Sequence, residues 1–483
     1  MLKSTGGSRP YMSQRIVVLE TNEVPLRIFR RFQKLRPGSN LDRLLQKSHV
    51  VETMALDVDE SLLYPSQTWA SLNTGAPYEA HKIHWYNDPK PDQYPLYWKT
   101  VADRGLTVGL VNTLHSSPAE PYAEGNDNFK FVIPDCFAAD SYTKPGYFEA
   151  YQKLTLKAVS ANARVATMKA PIQEAALTLI NSPRYGIRAH TMIEGASLLA
   201  QIARKKVNRE RIRNMQFPLA ADVFVKLFRK HQPNLSIIFT NHVAANMHRY
   251  WYGLFPEDYP TRVYDEKWIN KYRDEIMAAV DLLDNYLGEL MKLAEKNDCV
   301  LVVVSSMGQA ANEKLTPEVR ASRTHSFRLE DVRKFADQLV SRRYSYNVEQ
   351  AMVPQYMLGF PSTAEAENYG AEVRESIPGL KSASVTCDVN GPVVTLSVTL
   401  DGNASEVIVR GKSWDYKALG FTRFEIDDHS SGRHCPEGSL IIYNSKTAKV
   451  NKPTVNYLEY APAMLKHFGI ERQAFMTEPS FNF

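Results

Sequence analysis

Five short apolar runs constrain this chain more than any other feature: Ile16 to Leu19, Thr107 to Val111, Ser236 to Thr240, Cys299 to Val304 and Leu440 to Tyr443. None alternates apolar with polar residues, so each suits a strand buried on both faces, as in a parallel sheet covered by helices. Longer helical patterns separate the runs, and strand alternating with helix is an α/β architecture. The 483 residues suffice for two or three domains, or for one large α/β domain with insertions. With 44% hydrophobic residues, the chain has enough apolar side chains for a sizeable core.

From Tyr264 to Asn297, Ile276, Val280, Leu283, Leu287 and Met291 recur every three to four residues, which predicts a helix packed on the sheet. Residues 136–234 contain no comparable strand run but hold helical stretches around Tyr147 to Ala166 and Met192 to Ile212, a mainly helical insertion or cap. Ser382 to Leu400 alternates with near period two about Asn390-Gly391, a hairpin signal. The expected organisation is a flexible polar tail over 1–14, core segments over 15–135, 235–375 and 411–483, the helical insertion over 136–234 and a β-hairpin insertion over 376–410.

Several function classes fall away. An excess of 58 basic over 53 acidic residues, a formal +5, is too small at this length to argue for nucleic acid, and leaves a small anionic or ester substrate compatible. The basic stretch Ala203 to Asn214 has no interleaved aromatics and reads as the solvated face of a helix. Cys136, Cys299, Cys387 and Cys435 form no CxxC pair. The first fourteen residues lack a secretory apolar stretch, and no run is long enough to span a membrane, so a cytoplasmic protein is expected. A GxGxxG turn is absent, which argues against a dinucleotide-binding fold.

In a doubly wound sheet, ligands bind outside the carboxyl ends of the strands, so polar residues directly after the apolar runs are the informative ones. Glu20-Thr21-Asn22-Glu23 follows the first run, as oxygen ligands or as a helix cap with first-turn acids. Tyr64 to Ile83 holds Pro65-Ser66-Gln67-Thr68, then Thr74-Gly75 and His81; hydroxyls at a helix N-terminus cap it or serve as nucleophiles beside exposed N–H groups. Asn241, His242, His248 and Arg249 follow the third run, with the histidines six apart and so on different helical faces. Ser305-Ser306-Met307-Gly308-Gln309 offers hydroxyls and an amide, and His429 to Gly438 crowds two histidines and Cys435 into one loop.

In this order the motifs resemble the alkaline phosphatase superfamily, especially its phosphodiesterase/nucleotide pyrophosphatase and sulfatase-like branch. The resemblance includes the first strand, the Pro65 to His81 segment, Asp284 to Gly288 before the Val300 to Val304 strand, Gly432 to Gly438, and Val455 to Ile470. It implies an alkaline-phosphatase-like, mostly parallel sheet between helices. It also implies a hydroxyl nucleophile and metal ions that clamp a phosphoryl or sulfuryl group. Carried over by position, the first-strand aspartate falls near Glu20 or Asn22, and the late metal histidine on His434. The Asp-x-x-x-His motif keeps His248 but has Ala244 in the aspartate position, with Asn241 and His242 the nearest substitutes. Ser-Asp-His-Gly aligns with Ser305-Ser306-Met307-Gly308, which removes two ligands. A three-residue deletion after Trp69 makes Thr68 the first nucleophile candidate and Ser66 the second.

The expected metal set is therefore Glu20, Asn22, Asn241, His248 and His434 around one divalent ion (zinc, manganese or calcium) or none, with Thr68, Ser66, His242 and Arg249 as the catalytic set. The expectation is a divergent enzyme that hydrolyses or transfers a phosphoryl, sulfuryl or related group. The competing reading is a superfamily member without catalysis that binds or assembles.

Overall fold

The computed structural model describes residues 13–60, 63–86, 88–160, 172–322, 325–349, 354–402, 404–426 and 430–483. Among them eight strands form the central sheet: β1 (Arg15–Thr21), β2 (Ser48–Met54), β3 (Val108–Val111), β4 (Phe129–Ile133), β5 (Leu235–Thr240), β6 (Cys299–Ser305), β7 (Ser439–Tyr443) and β8 (Thr454–Asn456). Their order is β8-β2-β7-β6-β1-β5-β3-β4. β1 runs parallel to β5 and β6, β3 to β4 and β5, and β8 to β2, while β7 runs antiparallel between β2 and β6. Thr21 pairs with Thr240 and Glu20 with Val304, so β1, β5 and β6 all end at one rim.

The helices that cover the sheet and carry the site are α1 (Pro65–Thr74), α2 (Gln216–His231), α3 (His242–Leu254), α4 (Glu275–Asn297) and α5 (Tyr460–His467). Successive residues of each strand enter opposite cores. Val17, Leu19, Ile238, Leu301 and Val303 pack with Phe224, Met247, Leu283 and Leu287 of α2, α3 and α4. Ile16, Val18, Ile237, Val300 and Val302 pack with Trp69 and Leu72 of α1 and Ala461, Met464 and Leu465 of α5. Two apolar faces explain why the runs do not alternate. Each buried Val, Leu or Ile contributes about 1.5–3 kcal/mol, so these central strands dominate the stability of the sheet.

Three boundaries differ from the sequence expectation. The Tyr264 to Asn297 pattern is divided into Glu266–Tyr272 and α4, and all five periodic residues of α4 are buried. α2, inside the expected insertion 136–234, packs Phe224 and Phe228 into the sheet core. The insertion contains helices Glu149–Ser160, Ile172–Ile180 and Ala189–Ala203; the predicted continuation of the first to Ala166 lies outside the described residues. The basic stretch is not one helical face, since the helix stops at Ala203 and a 3-10 turn, Arg209–Met215, follows.

The hairpin Ala383–Asn390/Val393–Leu400 is also part of something larger than residues 376–410. It pairs onward with Gln355–Gly359 and Asn347–Glu349 into a four-stranded antiparallel sheet, backed by the helix Thr363–Ser376. Leu358, Tyr369, Val394, Leu396, Val407 and Phe421 give this unit a core of its own. It meets the main body where Met357 and Val393 pack on Trp85. A short antiparallel pair, Gly308–Ala311 with Gly432–Cys435, lies beyond the end of β6 and sets His434 opposite Gln309.

Candidate metal centre

Beyond the ends of β1 and β6, Glu23, His248 and His434 bring one ligand atom each within 4.8 Å of one another. His248 Nε2 lies 2.8 Å from Glu23 Oε2, and His434 Nε2 lies 3.4 Å from the same oxygen. In a tetrahedral zinc site with bonds of about 2.0–2.1 Å, donors stand about 3.3 Å apart, so the spacing suits one small ion.

Two of the three donors, His434 and Glu23, are held from behind. His434 Nδ1 donates to the Leu63 carbonyl at 2.7 Å, which leaves Nε2 with its lone pair toward the cluster. That Nε2 is buried, with Glu23 Oε2 3.4 Å away. The Asn22 amide donates at 2.8 Å to both Glu23 Oε1 and Asn241 Oδ1, and its own oxygen accepts from Trp69 Nε1 at 2.8 Å. Gln309 Nε2 donates to Glu23 Oε2 and, at 3.2 Å, to the Ala244 carbonyl.

Glu23 sits at φ +56°, in the left-handed region. For a non-glycine residue this costs about 1–2 kcal/mol, which the surrounding hydrogen bonds offset. The close pairing of the strands that carry His434 and Gln309 depends on Gly308, where a Cβ would fall 2.0 Å from the Glu437 carbonyl oxygen.

Burial alone would raise the Glu23 pKa, but the charges of His434 and His248 and their hydrogen bonds hold it well below the usual carboxylate range. Burial likewise pulls His434 down, and the Glu23 carboxylate beside it carries it above the ordinary histidine value. Without an ion, the three groups thus form an ion-paired cluster. With one, Glu23 supplies the anionic oxygen and the histidines two neutral nitrogens. Two imidazoles and a carboxylate suit zinc or manganese better than calcium, which prefers an all-oxygen shell. Three protein donors leave a further position open, as catalytic zinc sites do.

The structure sorts the sequence-derived residues sharply. It brings His248 and His434 together, but the carboxylate between them is Glu23, not Glu20. Glu20 shares the parity of Ile16 and Val18 and so points into the α1/α5 core, fully buried, with no hydrogen-bond partner among the described residues. Burial raises its pKa well above the usual value, so it is a neutral acid beside Tyr97 and Tyr460. Asn22 and Asn241 orient Glu23 from outside the cluster rather than joining it.

His242 faces the other core. It stacks on Phe217 with centroids 4.8 Å apart, takes a hydrogen bond at Nδ1 from Thr240 and donates from Nε2 to the Ala279 carbonyl at 3.0 Å. Burial lowers its pKa to about 4, so it is a neutral packing residue. Arg249 follows His248 on α3, and its carbonyl accepts from Ser431. Thr68 lies in the first turns of α1, fully buried, with Oγ1 2.8 Å from Ser306 Oγ. The Ser66 hydroxyl, also buried, donates to the His84 carbonyl. Ser306 and Met307 are fully buried, and Gln309 just beyond them reaches Glu23.

A second constellation looks catalytic and is not. Ser71 Oγ lies 2.9 Å from His81 Nε2 and 3.0 Å from Asp57 Oδ2. His81 Nδ1 accepts from the Ile83 N–H, so Nε2 carries the proton and donates to Ser71, which donates in turn to Asp57. The histidine therefore cannot act as a base toward the serine. Ser71 and His81 are buried and Asp57 is half-buried, and the trio pins α1 to the turn that follows it.

Sequence reasoning missed Glu23 as the carboxylate of the cluster and Gln309 as its hydrogen-bond partner. Strand parity held the signal for the first, because Glu20 shares the phase of Ile16 and Val18. The register that sets Gln309 opposite His434, 125 residues further along the chain, fixes the second and leaves no local trace in sequence.

No family model matches the chain, and no curated protein matches it. Among solved structures it is similar to human ectonucleotide pyrophosphatase/phosphodiesterase 5, at 12% identity over 95% of this chain and 96% of that one, with a TM-score of 0.39. It is similar to the murine protein of the same name at 10% identity over the same shares, with a TM-score of 0.39. It is also similar to phosphonoacetate hydrolase from Sinorhizobium meliloti 1021 in complex with phosphonoacetate, at 13% identity over 95% and 97%, with a TM-score of 0.41.

Proposed function

We propose that the chain is a divergent hydrolase or group transferase that acts on a phosphoryl, sulfuryl or related group of a small anionic ester. One divalent ion would be held by Glu23, His248 and His434. The observation that carries the reading is the convergence of one Glu23 oxygen with one ring nitrogen each of His248 and His434, all within 4.8 Å of one another. An ion there would supply Lewis-acid polarisation of a phosphoryl or sulfuryl oxygen. The chain's own residues do the rest. Glu23 stays ionised and provides the negative charge; Asn22 and Gln309 fix its two oxygens; the Leu63 carbonyl keeps the His434 proton on Nδ1.

Thr68 is the first candidate for the attacking hydroxyl and Ser66 the second. Thr68 would leave Ser306 to reach a substrate. That both hydroxyls are buried and hydrogen-bonded is the observation that favours the second reading, a binding protein without catalysis.

The experiment is metal analysis of the purified protein, followed by a screen of aryl phosphate mono- and diesters, phosphonates and sulfates with wild type, Glu23→Gln, Thr68→Ala and Ser66→Ala. Stoichiometric zinc or manganese, with turnover lost in Glu23→Gln and in one of the hydroxyl variants, is the expected result. Bound metal without turnover of any ester would leave the binding protein. A chain that takes up no divalent ion would overturn both the centre and the activity.

A further inference from the structure

Two helices of the insertion bury polar residues and expose large apolar ones. In Ile172–Ile180, Glu174 and Thr178 are buried, while Leu177, Leu179 and Ile180 are exposed. In Ala189–Ala203, Thr191 is buried, and the exposed side carries Met192, Ile193 and Leu199 among alanines and Ser197, with no charged residue from 191 to 203 fully exposed. Ten large hydrophobic side chains are exposed among the described residues, and six of them lie on these two helices. Scattered surface leucines are ordinary, but such concentration marks a contact surface.

The inversion is built in. Asp222, whose side chain is wholly buried, accepts from the Arg188 backbone N–H at 2.8 Å and from Thr191 Oγ1 at 2.7 Å. Arg188 itself bridges Asp222 and Glu289. Glu174 pairs with Lys157 at 2.5 Å. The polar side of the Ala189–Ala203 helix is thereby tied to the body, and the apolar side must face out.

What covers it is indicated by charge. Between residues 181 and 209 the exposed charged side chains are Arg184, Arg204, Lys205, Lys206 and Arg209, all basic. Three of them follow the last turn of the apolar helix directly. A twofold interface with another copy would gather these like charges with no exposed acid in the stretch to neutralise them. An apolar helical face ending in a cluster of Arg and Lys instead complements an anionic lipid surface, with side chains entering the acyl boundary and cations meeting headgroups. No helix among the described residues is long and apolar enough to cross a membrane, so the contact lies in the plane of the interface.

We propose that the outer faces of Ile172–Ile180 and Ala189–Ala203, with Arg204, Lys205 and Lys206, dock the protein peripherally on an anionic membrane. The proposal does not depend on the metal centre. Its test is co-sedimentation of the full chain with vesicles of phosphatidylcholine, alone or mixed with phosphatidylglycerol. Expected is binding to the mixed vesicles that weakens with salt and is much poorer on phosphatidylcholine alone. Ile180→Ser and Ile193→Ser should each weaken it about tenfold, and Arg204→Gln, Lys205→Gln or Lys206→Gln about fivefold per charge. Val348→Ser, at an exposed apolar residue elsewhere, should leave it unchanged. All these side chains are exposed, so circular dichroism and thermal melting should not move. No binding to the mixed vesicles would overturn the proposal, as would variants that bind like wild type. So would a dimer dispersed by Ile193→Ser in a protein that ignores vesicles.

Discussion

Glu23→Gln should act in opposite pH ranges depending on whether the centre holds an ion. In metal-free protein the Glu23 pKa is depressed, so its contribution to stability is present above the ordinary carboxylate value and is lost as pH falls through the folded one. The His434 pKa is raised, so its contribution is present below the ordinary histidine value and is lost as pH rises through the folded one. Both hold between about pH 4.5 and 6.5. A hydrogen bond between charged, buried partners contributes about 1.5–3 kcal/mol. The His248 side chain is one-third exposed, 33%, and adds little after screening. The variant should therefore lose about 2 kcal/mol near pH 5.5, and less as pH rises past the His434 transition.

With zinc the order reverses, because the ion needs neutral imidazoles and competes with protons. Above pH 8 the same substitution removes the only anionic donor of the cluster. It should weaken zinc at least as much as the most damaging changes behind a ligand, about 100-fold or ~2.7 kcal/mol. Urea unfolding in chelator from pH 5 to 9, and zinc competition with a chromophoric chelator over the same range, give the two curves. A metal-free stability loss that grows with pH, or zinc affinity indifferent to the substitution, would refute the reasoning.

Other residues give separate outcomes. Asn22→Ala strands Trp69 Nε1 and frees Glu23, so stability should fall about 2–3 kcal/mol and zinc affinity about tenfold, measured by denaturation and competition. His242→Leu should leave zinc affinity intact. Wild type, with His242 lowered to about 4, should lose about 3 kcal/mol of stability as pH falls from 6.5 toward 4, and an acid titration of the variant should show that loss reduced. Gly308→Ala should cost about 2–4 kcal/mol and abolish zinc binding together, since its Cβ would fall on the Glu437 carbonyl beside the strand of His434.

The sheet was legible because its inner strands are apolar on both faces; β1, β3, β5, β6 and β7 all stand where the runs lie. β2 escaped notice because its exposure alternates and it carries His49, Glu52 and Thr53. β4, though apolar, is the edge strand beside β3, and β8 has three residues. The site was half legible. His248 and His434 follow from motif order, whereas Glu23 depends on where β1 stops and the chain turns left-handed. His242 was misplaced because adjacency to a strand end does not tell which core a side chain enters; its ring stacks on Phe217, on the side of α2. The hairpin was read correctly from Asn390-Gly391, but the strands it joins lie earlier in the chain and give no signal of partnership.

Glu23 and His434 are roughly 400 residues apart in the chain, and this fixes a schedule for biogenesis. At about 5–20 residues per second on the ribosome, the carboxylate waits roughly 20–80 seconds before its second imidazole is synthesised. Until His434 is made, a nascent chain therefore has no complete chelating trio, and any ion held by all three groups would enter after that, close to the time when the antiparallel β7 is threaded between two strands made long before it.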